Sequence, residues 1–546
     1  MAGTDCDVLV VGAGPTGLMA AYLLARCGVS LRIVDRNAAP AQESRAFAVS
    51  ARSLELFANL GLVDRVLSQG TINERIDFFI SGKRAGGFDF DRVEAPDTPY
   101  HFILMNPQSK TEALLGEALQ EAGVTVERGV EVTALTQDEG CVRAAATHAD
   151  GRAIEITARY AIGADGAHSI VRKAAGLSFE GAKYPQSFLL GDVAVDWPLD
   201  HARFRVFMHG ERIGLFFPLQ GSTLSRVMTT DLGGSAGNET IGPEPLELDV
   251  LQQAFAQASC QPVTLRDPAW LTRFRTHHRV VDRYRSGRLF VAGDAGHIHS
   301  PAGGQGMNTG LQDAANLAWK LAAVLNKGTD DALLDTYESE RLPVAREVLR
   351  FTDRIFGFAA GQSGWRARAR DLLAPAIVGP ASEMDAVQTA AFRRFAQIDI
   401  HYEESAAVAS GGSDQPAAGM RAPNAQLSRH RDLFDLISGY RFHVLALSRR
   451  ALEQAEVRPL LAALSSLSGP GVETHLVARV AGRHQPGVEP VERPDVFDRY
   501  GLPDEGAQAI ILVRPDGTIA WRGAGLDVEA CGRVLARFVA PAGCGA

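Results

Sequence analysis

Cysteine is scarce in this sequence. Six residues in 546 (Cys6, Cys27, Cys141, Cys260, Cys531 and Cys544) are scattered along the chain, with no CxxC and no zinc spacing. The scatter argues against a disulfide framework or a metal cluster and points to a reducing cytoplasm. An excess of positive charge is missing too. A formal charge of −9 leaves no basic face for nucleic acid or an anionic membrane as main partner. No apolar run is long enough to cross a bilayer, and the run from Val8 to Val11 is too short for a secretion signal. What is present is a globular composition, 46% apolar and 22% charged. A prior of about 150 residues per domain predicts roughly three or four units.

The chain opens as strand, glycine turn, helix, strand: 7–11, 16–28 and 31–35. Helical patterns follow at 51–60 and 110–122, and strand patterns at 124–132 and 142–147. From about 189 to 230 the texture changes to short β-rich runs (203–208, 213–218, 224–230), the pattern of an antiparallel sheet. A strand at 288–293 then leads into a long helix expected from about 309 to 325, with further helices at 335–358 and 386–396. Residues 405–423 are rich in Ser, Gly, Ala and Pro and read as a linker. Beyond it, a small α/β unit carries strands at 442–447, 509–513 and 519–521, with an Asp516-Gly517 turn between the last two. There is no internal repeat. The division expected is 1–179 with 278–400, an inserted sheet unit at 180–277, a linker at 401–423 and a terminal unit at 424–546. A chain cut near 405 should then keep whatever its first units bind.

Gly12-Ala13-Gly14-Pro15-Thr16-Gly17 is GxGxxG placed after a strand and opening a helix. Its glycines suit a tight turn, close approach of backbone to a pyrophosphate, and packing of helix on strand. Asp35 ends the second strand, where a carboxylate can accept from ribose hydroxyls, and Arg36 follows it. Strand, turn, helix and acid together make a dinucleotide site, without separating FAD from NAD. Two later segments do separate them. Gly163-Ala164-Asp165-Gly166 is an Asp-Gly turn after a strand; Gly293-Asp294 ends another strand and runs on through Pro301, Gly304, Gly306, Met307 and Asn308 into a helix. Asp294 can hold the hydroxyls of a polyol chain, and the helix start offers free N–H groups to a ring that becomes negative on reduction.

These three ordered motifs resemble the FAD-dependent aromatic hydroxylases, the para-hydroxybenzoate-hydroxylase-like flavoprotein monooxygenases, over residues 1–350. The resemblance implies an α/β fold: a Rossmann-like FAD-binding domain, an inserted antiparallel-sheet substrate domain, and a C-terminal thioredoxin-like domain that here lacks CxxC. It implies that Gly12, Gly14, Pro15, Thr16, Gly17, Asp35 and Arg36 hold the ADP portion of FAD. Asp165 would touch FAD in a motif linked to NAD(P)H use, Asp294 would hold the ribityl chain, and Pro301, Gly304, Gly306, Met307 and Asn308 would border the isoalloxazine. Arg45 and Gln108 match further flavin contacts. The terminal domain favours the phenol, polyketide and antibiotic hydroxylase branch, and packing or dimerisation is its default role; a homodimer is left open.

The activity so implied is monooxygenation of a phenolic or polycyclic aromatic with NAD(P)H and O2, through a flavin C4a-hydroperoxide shielded from water. Related Baeyer–Villiger or epoxidation chemistry stays open, as does a non-catalytic flavin-binding sensor or scaffold. The Trp-x-Trp-x-x-Ile signature of halogenases is absent among the five tryptophans. No metal is expected. His297 and His299 form an HxH on a loop without a partner cluster, so a structural or flavin-facing role outweighs metal binding, and His277-His278 reads as core hydrogen bonding. Alternation places Phe216 on one face with Gly214 and Pro218, and with Met228 these are candidates for the substrate pocket. No catalytic base is nominated.

Overall fold

The computed structural model describes residues 4–41, 46–219, 223–232, 246–299, 304–359, 365–409, 415–480 and 485–539. Its elements of use here are β1 (Cys6–Val11), α1 (Pro15–Arg26), β2 (Leu31–Asp35), α2 (Ala51–Asn59), β3 (Arg75–Ile80), β4 (Lys83–Asp89), β5 (Ala153–Gly163), α3 (Ile170–Ala174), β6 (Phe179–Asp196), β7 (Phe204–His209), β8 (Arg212–Pro218) and β9 (Leu224–Asp231). Then come α4 (Leu248–Ser259), β10 (Thr264–Val281), β11 (Leu289–Val291), β12 (His297–Ile298), α5 (Gln305–Lys327), α6 (Asp335–Ala359), α7 (Trp365–Ser382) and α8 (Asp385–Ala396). The last part holds β13 (Phe442–Leu452), β14 (Val472–Val480), β15 (Gln508–Val513) and β16 (Ile519–Ala524).

The first sheet has a parallel centre, β11-β5-β1-β2. Both its faces are covered, so β1 is a continuous apolar run: Val8, Leu9 and Val10 are fully buried. At about 1.5–3 kcal/mol for each such side chain, this one strand contributes several kcal/mol. Helix α1 starts where Pro15 fixes φ and needs no N–H partner. Helix α5 begins four residues earlier than its pattern predicts. Gly304, at φ +61°, is its N-cap and Gly328, at φ +67°, ends it. It is buried on nearly every side from Gln305 to Ala323, which blurs the amphipathic period that would mark its start in sequence.

The second sheet runs β12-β10-β6-β9-β8-β7-β3-β4. Its spine is a pair of 18-residue strands, β6 and β10, antiparallel to each other and reaching back to the first unit. Strands β3 and β4 join it from far upstream, β3 lying parallel to β7. The sheet therefore recruits residues outside the 180–277 segment; a short pairing between distant segments leaves no local period to read. One face packs under α4, with Phe207, Phe216, Val227 and Phe255 in its core. The other packs under α7, with Ile80, Phe188, Met208, Met228 and Ala374.

The terminal sheet contains β14-β13-β15-β16, with β13 parallel to β14 and antiparallel to β15. The described residues that lead into it, 401–409 and 415–423, are partly built into the fold. Within 405–423, Ala407 and Ala422 are 0% and 1% exposed, and the guanidinium of Arg421 is buried against Glu55 and Asp97. Ser405, Ala407 and Ala422 pack tightly, while the composition of the stretch imitates a linker. Residues Phe442, Val444 and Ala446 of β13 belong to the same apolar core as β1 and α5. No helix among the described residues is long and apolar enough to cross a membrane.

Candidate flavin site

The three glycine-bearing motifs meet at the C-terminal edge of the first sheet. A Cβ on Gly12 (φ +101°) would lie 2.4 Å from the carbonyl oxygen of Ala164. One on Gly293 would lie 2.6 Å from Thr16 Oγ1, and one on Gly310 of α5 would lie 2.2 Å from the same hydroxyl. Arg172 ties the second motif to the third: Nη1 donates to the carbonyl of Ala295 at 2.9 Å and Nη2 to that of Ala167 at 2.8 Å.

Within the first motif the glycines do different work. A Cβ on Gly17 would sit 1.9 Å from the carbonyl oxygen of Gly12, so helix and turn touch there. Among the described residues, a Cβ on Gly14 would meet no atom within 4 Å. That open cradle lies at the N-terminus of α1, where unsatisfied N–H groups and the positive dipole end favour a phosphate. Asp35 accepts from the backbone N–H of Ala13 at 2.7 Å and of Asn37 at 2.8 Å, so it shapes the turn as well as facing any ribose. Each carboxylate oxygen keeps a second lone pair. Arg36 is exposed. Gln108 donates to Glu112 at 2.7 Å, and burial raises the pKa of Glu112.

Asp165 accepts from the N–H of Ile170 at 2.6 Å and so fixes the start of α3; burial raises its pKa. Asp294 is exposed beside Gly306, whose Cβ would stand 4.0 Å from Asp294 Oδ1. Asp294→Ala should weaken FAD binding by roughly 1.5–3 kcal/mol, the worth of hydrogen bonds to a charged acceptor. Flavin titration of the apoprotein checks this; an unchanged affinity would remove Asp294 from the site.

Met307 is 8% exposed and lies in the core, in the first turn of α5. Asn308 is fully engaged. Its Oδ1 accepts from Ser50 N (2.9 Å) and Ser53 Oγ (2.7 Å), while Nδ2 donates to the carbonyls of Ala48 (2.9 Å) and Gly304 (2.8 Å). Two donors and two acceptors exhaust a side-chain amide. Asn308 therefore clamps the Ala48–Ser53 segment to the glycine loop instead of presenting its amide to a ring. Arg45 and Pro301 lie outside the described residues.

A buried triad that the sequence does not announce stands behind the third motif. Asp313 Oδ2 accepts from the N–H of Gly293 at 3.1 Å and lies 2.8 Å from His297 Nε2; Oδ1 accepts from Arg341 Nε at 2.7 Å. Asp313, His297 and Arg341 are 0–1% exposed. Burial would raise the pKa of Asp313, but Arg341 and His297 outweigh it and hold the carboxyl below its usual range. His297 is thus a brace for the Gly293 backbone. The one available signal is an arginine on the apolar face of a helix, a position it occupies only when paired.

The substrate-sheet candidates divide by face. Phe216 is 0% exposed, with its ring 4.4 Å from that of Trp197; Gly214 and Pro218 share that side, where a Cβ on Gly214 would meet Ala258 and Phe255. Helix α4, absent from the elements expected from sequence, fills that face. Phe217 points the other way. It stacks on Phe204 at 4.4 Å and meets Phe47 edge-on at 5.3 Å. Phe47 directly precedes Ala48, which Asn308 holds. Phe217 and Phe204 are half-buried. Arg226, bidentate to Asp192 at 2.8 and 2.9 Å, covers the rings of Phe47 and Trp270. Met228 shares this face, deeper, under α7.

Comparison with known proteins shows the family. Residues 5–352 match the FAD binding domain family model and residues 415–542 the "Aromatic-ring hydroxylase, C-terminal" model. The chain is 33% identical to pentachlorophenol 4-monooxygenase of Sphingobium chlorophenolicum, over 96% of this chain and 94% of that one. It superposes on the anhydrotetracycline hydroxylase OxyS of Streptomyces rimosus with a TM-score of 0.76 and 28% identity, covering 98% and 100% of the two chains. Aklavinone-11 hydroxylase, solved with FAD and aklavinone, gives 0.77 and 26% over 99% and 100%.

Proposed function

This chain belongs to the FAD-dependent aromatic hydroxylases, and on that premise we propose that it hydroxylates a phenolic or polycyclic aromatic using NAD(P)H and O2. The observation that carries the reading is the convergence of three glycine motifs around one open cradle, beside a half-buried aromatic wall. FAD is held by the Gly12–Gly17 turn, Asp35, Gln108, the Asp165 loop and Asp294, within the unit formed by 1–179 and 278–400. Bound FAD supplies the electron store from which dioxygen is activated. The protein's own contribution is position and exclusion of water. The ring of the substrate packs on Phe217 and Phe204, with Phe47 between that wall and the α5 start; Phe216 and Pro218 support the wall from behind. Asp313 and Arg341 keep the Gly293 backbone fixed, so the cradle does not rearrange when substrate enters. The described cysteines, Cys6, Cys27, Cys141, Cys260 and Cys531, are unpaired, which suits a reducing cytoplasm.

The sequence carries one glycine fingerprint with a terminal acid, and FAD takes it. NAD(P)H must then dock transiently, at a site completed when substrate shifts the population toward the reducible arrangement. Purified protein should be yellow and release FAD, not FMN, on denaturation. In anaerobic stopped flow at saturating NAD(P)H, flavin bleaching should be at least about tenfold faster with a productive phenol or polycyclic quinone, a barrier difference of about 1.4 kcal/mol. Equal rates would reject the gating, and release of FMN alone would reject the cofactor assignment.

A further inference from the structure

Two buried histidines and a carboxylate meet on one face of the terminal sheet, and the hydroxylation uses none of them. In the parallel pair β13–β14, His443 lies opposite Glu473 and Leu445 opposite His475. Alternate residues of a strand share a face, so Glu473 and His475 project to the same side. His443 Nδ1 stands 3.2 Å from His475 Nε2, and one ligand atom from each of the three residues falls within 4.8 Å of the others. The histidines are 1% and 7% exposed, while Glu473 is exposed and opens the cluster to solvent.

We propose that His443, His475 and Glu473 form a binding site for one divalent transition-metal ion of the zinc type. Two imidazoles on a tetrahedral ion at about 2.05 Å would hold their nitrogens roughly 3.3–3.4 Å apart, close to the spacing found. Two neutral nitrogens with one carboxylate suit zinc, whereas calcium and magnesium take oxygen ligands. Without metal, the contact is an N–H···N bond between rings 23° from parallel with centroids 5.5 Å apart. On binding, the donating ring moves its proton to its other nitrogen and both rings tilt toward the ion; no electron is transferred. Arg441, 3.6 Å from Glu473, is the cation the ion displaces. Solvent fills the fourth position beside Glu473. The ion cross-links two adjacent strands in a unit that has no CxxC to do so.

The test uses the full-length flavoprotein, stripped with chelator, incubated with Zn²⁺ and gel-filtered before elemental analysis. Wild type should retain one zinc per chain and His475→Gln none. In competition with a chelating dye, Glu473→Gln should bind at least about tenfold more weakly, the lower bound for loss of even an outer partner. Glu473 is half-exposed, so that variant keeps the fold, and unchanged FAD content confirms it in each protein. No retention by wild type, full retention by His475→Gln, or equal zinc affinity of wild type and Glu473→Gln in the dye competition overturns the proposal.

Discussion

A chain ended at residue 404 is expected to lose its FAD and its stable fold together, against what the composition of 405–423 suggests. The reason lies under α5 and α6, where Glu340 is 2% exposed and its side chain wholly enclosed. Arg514, from the turn between β15 and β16, donates to both its oxygens at 2.7 and 2.9 Å, and Lys320 of α5 donates at 2.8 Å. Ser405 donates to it as well, and Asn316 joins the cluster. Burial opposes the charge on Glu340, yet Arg514 and Lys320 hold its pKa far below the usual range; burial pulls Lys320 down to about 8. Removing residues 405–546 strips Arg514 and Ser405 from the carboxylate of Glu340 and uncovers Trp319, whose ring packs on Phe442 at 5.5 Å. Breaking one partner of such a pair costs about 3–5 kcal/mol, comparable with the whole stability of many domains. The same range is expected for Arg514→Met alone, read as a lower denaturation midpoint, with partial recovery in Arg514→Met/Glu340→Gln. A folded, yellow product from residues 1–404, or a neutral Arg514→Met, would contradict this account.

The second large effect separates two glycines three residues apart. Gly17→Ala should destroy both the turn and FAD binding, because its Cβ would fall 1.9 Å from a backbone oxygen that cannot move aside cheaply. Gly14→Ala should fold as wild type does. Its φ of −74° and ψ of −179° suit alanine, and among the described residues nothing lies within 4 Å of the new methyl. With the pyrophosphate in that space, as proposed, flavin affinity should fall by at least about a hundredfold, or roughly 2.7 kcal/mol. Thermal melting of the apoproteins and flavin titration check the two halves. Wild-type affinity in Gly14→Ala would mean that no phosphate passes there.

The turns that build the candidate flavin site are legible in the sequence, for a physical reason. Gly12, Asp165 and Gly293 are imposed by local backbone geometry, which sequence records directly. Asp313 and Arg341 are invisible as a pair because their contact is made across two helices, and α4 escapes notice although it decides which way Phe216 faces. The stretch 405–423 misleads because Ala and Ser are equally at home in a loop and in a tight joint. His443 and His475 carry no spacing signature, since parallel strands bring together residues distant in sequence. Composition speaks to local preference, and these contacts are settled by topology.

The single-residue offset between Phe216 and Phe217 has a consequence for how such enzymes diverge. Side chains of β8 alternate between the α4 core and the aromatic wall, so inserting or deleting one residue there would exchange the two sets and bury the wrong one. Length variation in that strand is therefore closed to selection, whereas replacement at every second position is cheap. Lineages carrying this sheet should acquire new substrates by point substitution along Leu215, Phe217 and Met228, and keep their insertions for the turns.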